Sequence, residues 1–280
     1  MLRYYLVLIA LTVGFLVNDL SAIPQKDSTQ KMTVRPKSFE DSVLDKYLRH
    51  GAWRYPITSP EWGRYIDSAL EILPHNAYFW QQRSMPYYKQ MKYEVGRPYV
   101  DSAVKYDSAS YIDYRGFLEC IFSKRYHESI QDFQAAKRII GNGAVMDHNY
   151  DFYIGLCYLQ LARYDSAEQY LKLCCENETK LFGKEGIHYL HYLYLGITLF
   201  EQQRFEEAIN NLDLALAKYP NFSDAQYYKY LALEKLGRKD EAKHFYQEAK
   251  SNFDKGYTIN EDNVIYERYP YQIRQTWFRN

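Results

Sequence analysis

The histidines and carboxylates are the first residues to weigh for chemistry. Glu185, His188 and His191 recur at i, i+3 and i+6. On a helix that spacing drifts around the axis, so the three read as exposed or packing residues at a helix start and not as metal ligands. His127-Glu128 opens like the zinc-protease pattern, in which two histidines on one helical face hold the metal and a glutamate serves as base. The closing position is Gln131, and the pattern fails. No G-x-S-x-G turn and no phosphate-cradling glycine loop occurs in the chain. The adjacent Glu206 and Glu207 point apart on a helix and read as solvated surface. The sequence offers no catalytic set, no metal and no cofactor, and the expectation is a protein that is not an enzyme.

Cysteine use agrees with that. Four cysteines in 280 residues do not make a disulfide scaffold. Cys120 and Cys157 sit at similar depths in consecutive units, but a bridge needs their Cα atoms within about 7 Å. Neighbouring helix axes usually lie about 8–10 Å apart, which disfavours it. Cys174 fills a small buried slot, and Cys175 beside it faces elsewhere.

Thirty-five basic residues balance 35 acidic ones. A chain without basic excess is poorly suited to nucleic acid, where phosphate neutralisation supplies most of the affinity. Apolar residues make up 47%, enough for a sizeable core. Tyrosine is unusually abundant at 31, and its ring buries area while its hydroxyl stays polar.

The N-terminus has the order of a secretory signal. Arg3 precedes an apolar run from Tyr4 to Val17, then polar Asn18-Asp19 and small Ser21-Ala22. The run is shorter than the roughly 20 residues of a membrane span. Residues 1–22 are therefore expected to be a signal peptide, and any membrane attachment would need that segment uncleaved. The chain is expected to be exported, periplasmic or secreted, with a mature start near Ile23. N-terminal sequencing of protein from the native host checks this, and intact residues 1–22 would count against it. Residues 23–38 read as a disordered polar leader.

A repeat organises the rest. The frame small-x3-apolar-x2-small is met by Gly96/Val100/Ala103, Ser129/Phe133/Ala136, Ala167/Leu171/Cys174, Ala208/Leu212/Ala215 and Ala242/Tyr246/Ala249, and by Trp62/Ile66/Ala69 with a large residue in the first slot. The closing positions are 34, 33, 38, 41 and 34 residues apart. The surpluses fall around Gly141-Asn142-Gly143 and between Glu176 and Gly186, where loops are expected. A second helix precedes each, marked by Leu195-Gly196-x2-Leu199 and Ile154-Gly155-x2-Tyr158. Apolar spacing of i, i+3, i+4, i+7 makes these amphipathic helices, and no segment alternates long enough for a sheet.

On these residues the chain resembles the tetratricopeptide repeat family over roughly residues 39–250. Trp80, Leu195-Gly196, Tyr158, Ala167, Ala208 and Pro220 occupy family positions. The resemblance implies an all-α, right-handed solenoid of about six antiparallel helix pairs whose concave face commonly holds a peptide or partner protein. Residues 39–109 form degenerate N-terminal units, 110–252 the clearer repeats, and 253–280 an aromatic C-terminal segment expected to cap the last pair. That segment, with Tyr257, Tyr266, Tyr269, Tyr271, Trp277 and Phe278, is similar to the tails of secreted bacterial repeat proteins.

A second apolar stripe on the first helices is the functional candidate. It comprises Met85, Tyr88, Tyr114, Leu118, Phe152, Leu156, Leu159, Leu193, Ile197, Phe200, Tyr227 and Leu231. Such a stripe either lines a partner-binding groove or is covered by neighbouring helices or the tail. The main expectation is protein or peptide binding. The alternative is a glycan-binding module that uses the aromatic rings. Recognition of nucleic acid is argued against by export and zero charge.

Overall fold

The computed structural model describes residues 38–278, so the expected signal peptide and most of the leader lie outside it. Helix α1 (Phe39–Leu44) starts on a Ser38/Asp41 capping box and runs on as a π-helical turn through Arg49. There follow α2 (Pro60–Ile72), α3 (Ala77–Lys89), α4 (Tyr93–Tyr106), α5 (Ser108–Ile121) and α6 (Tyr126–Ile140). Then come α7 (Tyr150–Gln160), α8 (Tyr164–Phe182), α9 (Tyr189–Glu201), α10 (Phe205–Lys218), α11 (Ser223–Lys235) and α12 (Lys239–Asp254). Each first helix packs on the second of its own unit, and units stack on their neighbours. Among the described residues no helix is long and apolar enough to cross a membrane.

Small side chains set the helix crossings. Ala69, Ala103, Ala136, Cys174, Ala215 and Ala249, the six closing positions of the repeat, are all fully buried. A Cβ added at Gly155 would lie 2.7 Å from Leu171 Cγ, and one at Gly196 would lie 3.2 Å from the Ala208 carbonyl. Any larger residue there would push the paired helices apart.

The turns inside the pairs are also repeated. Met91, Ala162, Gln203 and Gly237 hold left-handed backbone, and the next amide reaches back five residues, as from Arg204 to the Leu199 carbonyl at 2.9 Å. That bond occupies helix-end carbonyls that would otherwise lack a donor. Arg125, Arg204 and Arg238 then precede the second helices and pair with the glutamates three residues on. The turn between α5 and α6 is one residue longer, with Lys124 left-handed, and it absorbs the extra residue between Gly116 and Ser129. The two still meet, since Ser129 Oγ donates to the Gly116 carbonyl at 2.8 Å.

Both surpluses are structured. The first is a two-residue-strand hairpin, β1 (Ala144–Val145) with β2 (His148–Asn149), turning on left-handed Met146 and Asp147. The reading without sheet is corrected there: two residues per strand are too few for periodicity to register. The second is an extension of α8 to Phe182 and a turn at Gly183.

Candidate functional site

The first helices α5, α7, α9 and α11 touch one another in series and so share one inner face. On that face Tyr114, Tyr153 and Tyr194 each stand two residues before the small Gly116, Gly155 and Gly196. Tyr228 occupies the matching place one repeat after Tyr194. Tyr153 donates to the Val145 and Met146 carbonyls, tying the hairpin to α7. Tyr194 and Tyr228 donate to the carbonyls of Pro270 and Tyr271, both at 2.8 Å.

Those carbonyls belong to the C-terminal segment, which runs out along the inner face and back. Near α11, the Ser223 amide and hydroxyl donate to the Tyr257 carbonyl. Tyr189 on α9 reaches Asn260. At the far end Lys124 donates to the Arg268 carbonyl at 2.9 Å, Tyr93 to Glu267, and Lys89 stacks over Tyr266. The return passes Tyr194 and Tyr228 and ends with Phe278 against Tyr227, Tyr246 and Phe253. Ile259, Tyr269, Ile273 and Phe278 are buried by this path.

One carboxylate pins both strands of the path. Asp224, fully buried at the start of α11, accepts from the Thr258 hydroxyl at 2.6 Å and the Ile259 amide at 3.2 Å with one oxygen. Its other oxygen accepts from the Ile273 amide at 3.0 Å. Burial raises its pKa to about 6, and these three donors oppose the rise without cancelling it.

A second polar cluster lies where the segment crosses α7 and α9. His191 Nδ1 is 2.7 Å from Glu178 on α8, and His191 Nε2 is 3.0 Å from His148 Nδ1. His148 Nε2 lies 3.4 Å from Glu261 of the C-terminal segment, and His188 Nε2 lies 4.0 Å from the same carboxylate. Burial and the neighbouring rings lower His188 to about 4, and burial also lowers His191. Burial alone would raise Glu178 and Glu261, but the histidines outweigh it and hold both below the usual range. His188 and His191 are thus held toward the neutral imidazole, beside carboxylates held toward the ionised form.

Part of the inner face stays open. A cavity of about 380 Å³ lies at the far turn of the segment, between α3, α5, the hairpin and residues 262–266. Met85, Tyr88, Tyr114 and Leu118 line it together with Phe122, Met146 and Ile265, while Lys89 and Asp262 supply charge.

Family models described as tetratricopeptide repeat match residues 153–180 and 193–256. The chain thus carries tetratricopeptide repeats over these residues. Solved structures agree on the fold. PilW, a type IV pilus biogenesis factor, superposes with TM-score 0.60 at 16% identity, over 78% of this chain and 96% of that one. Pseudomonas aeruginosa PilF gives 0.58 at 18% identity, over 78% and 95%. Yeast Tom70 gives 0.51 at 19% identity, over 76% of this chain and 43% of its own. A search of curated proteins by sequence returned no match.

In this repeat protein the stripe read from the sequence is mostly covered. Tyr88, Leu118, Phe152, Leu156, Leu159, Leu193, Ile197 and Tyr227 are buried, whereas Met85, Tyr114, Phe200 and Leu231 are partly exposed. The expected cap over the last helix pair is met only by the final residues around Phe278. The rest of the segment takes the inner face instead, because the inner helices offer a track of hydroxyls, Lys124 and Asp224 that bond its backbone. The spaced set Glu185, His188 and His191 does not assemble: Glu185 turns out to Lys218, and His148 and Glu261 come in from distant positions. All four cysteines are free thiols. Tyr153, Tyr194 and Tyr228 escaped the periodic reading, which named only Tyr114 of this column, although Tyr114, Tyr153 and Tyr194 each stand two residues before a glycine.

Proposed function

We propose that this repeat protein is a non-catalytic scaffold that binds an extended protein segment or peptide on its inner face, in the periplasm or outside the cell. The observation that carries this is the way the inner face holds its own C-terminal segment. Side chains of Ser223, Tyr194, Tyr228 and Lys124 bond the carbonyls of residues 257, 270, 271 and 268, a mode of holding that reads main chain and tolerates many side chains. The open cavity continues that track and supplies an apolar socket for an anchoring side chain, with Met85 and Tyr114 on its wall. Export rests on the charged, apolar and small-residue order of residues 1–22.

The test is a peptide-display selection on the full mature chain, repeated with Met85→Glu, which puts a charge into the socket without touching the buried core. Peptides with a large apolar anchor are expected to be enriched and to bind the variant at least about tenfold more weakly, the cost of about 1.4 kcal/mol or more. Selected peptides that bind the variant equally would remove the cavity from the binding surface. A glycan array run on the same two proteins addresses the alternative, which requires a sugar signal that Met85→Glu abolishes.

A further inference from the structure

We propose that His148, His188 and Glu261 form a binding site for a divalent transition metal of the zinc type, which fastens the C-terminal segment to the inner face. Glu178, His191, His148 and Glu261 stand in a chain of hydrogen-bonding groups. Three gaps separate these four groups, at 2.7, 3.0 and 3.4 Å. An imidazole with one N–H fills one gap, so two such rings fill two of the three. With His191 donating to Glu178 and His148 donating to His191, both close contacts are satisfied. His148 Nε2 is then a bare lone pair facing a carboxylate.

The geometry agrees with that count. His148 is fully buried, and its Nε2 has no hydrogen-bond partner; Glu261 stands near it but out of bonding geometry. A buried, unpartnered nitrogen is costly, and here it is aimed at a second histidine and a carboxylate. A cation between them satisfies His148 Nε2 and Glu261 together and breaks neither of the two close bonds.

The donor set selects the ion. Two imidazole nitrogens and one carboxylate suit zinc and its neighbours, not magnesium or calcium, which take oxygen. Zinc–nitrogen bonds of about 2.0–2.1 Å in a tetrahedron place donors on the order of 3.3 Å apart. His148 Nε2 is already 3.4 Å from Glu261 Oε2 and His188 Nε2 4.0 Å from its Oε1, and ring nitrogens of His148, His188 and His191 lie within 4.8 Å of one another. His188 gives up only a long 3.4 Å bond from the Leu190 amide to its Nδ1. His191 does not need to ligate. Held by Glu178, it accepts the His148 Nδ1 proton and fixes that ring's tautomer, as the partners behind many metal-bound histidines do. His188 and Glu261 are partly open to solvent, which provides an entry path.

The experiment uses the full mature chain stripped with a chelator and titrated with zinc ion alone, against Glu261→Gln, His148→Ala and His191→Ala. One zinc per chain is expected, with a rise in melting temperature that the chelator reverses. Glu261→Gln, in the C-terminal segment and outside the helical core, should abolish both the stoichiometric binding and the rise. His191→Ala is expected to weaken zinc by about 10–100-fold as a positioning change. Should His148→Ala fail to fold, Glu261→Gln still decides the matter. Absence of stoichiometric zinc binding, or binding that Glu261→Gln leaves unchanged, overturns the proposal.

Discussion

Deletion of residues 256–280 is expected to lower the melting temperature by roughly 10–20 °C and to make the protein bind hydrophobic dye strongly. The segment buries Ile259, Tyr269, Ile273 and Phe278, each worth about 1.5–3 kcal/mol of apolar transfer. The segment's hydrogen bonds add to that sum, and the entropy of ordering it opposes both. A net loss of about 3–6 kcal/mol would give such a shift, since a chain of this size moves by about 2–4 °C per kcal/mol. The location of the damage matters as much as its size. A terminal cap would protect only the last unit, because stacked repeats pass stability to neighbours alone. A segment that also holds Tyr194, Tyr189, Lys124 and Tyr93 spans units well inside the stack. Hydrogen exchange should therefore rise in α5, α7 and α9 as well as in α11 and α12. Faster exchange confined to α11 and α12 would contradict the path described here.

The repeat was legible because side-chain size is enforced at every crossing. The spacing of Ala69, Ala103, Ala136, Cys174, Ala215 and Ala249 sufficed to place six units, and all six residues are fully buried. The length of each surplus was legible too, but its shape was not. Met146 and Asp147 take left-handed backbone without a glycine to announce the hairpin turn. The candidate site was harder for a different reason. Apolar spacing identifies which residues avoid water, and Phe152 or Ile197 does so whether helix, tail or partner covers it. What decides the cover is polar: a single Asp224 meeting residues 258, 259 and 273, and a histidine cluster drawn from positions 148, 188 and 191 with Glu261. These pairings cross dozens of residues and leave no local period. The tyrosines were visible by number, while their alignment needed the register of the glycine that follows Tyr114, Tyr153 and Tyr194.

Asp224→Ala is expected to release the C-terminal segment at a cost of about 3 kcal/mol or more, read as a lower urea midpoint. Three donors from the segment lose their acceptor, and each buried donor left unmatched costs about 1–3 kcal/mol. The loss has a ceiling, since a detached segment regains water for its amides, so the deletion sets the upper bound for the substitution. Asp224→Asn separates the charge from the contacts. The folded protein holds the Asp224 carboxyl near 6, above its ordinary 3.8, because burial penalises the ionised form. Between those values the folded chain binds a proton that the unfolded chain has released. The stabilising contribution is thus complete below about pH 4 and lost as pH rises through about 6. A shift of about two units corresponds to roughly 3 kcal/mol. Urea midpoints of the native chain minus those of Asp224→Asn should therefore increase as pH falls from 6 to 4, since asparagine has no proton to bind. A difference that stays flat, or that grows toward pH 7, would mean that the three donors dominate burial and that Asp224 is held ionised.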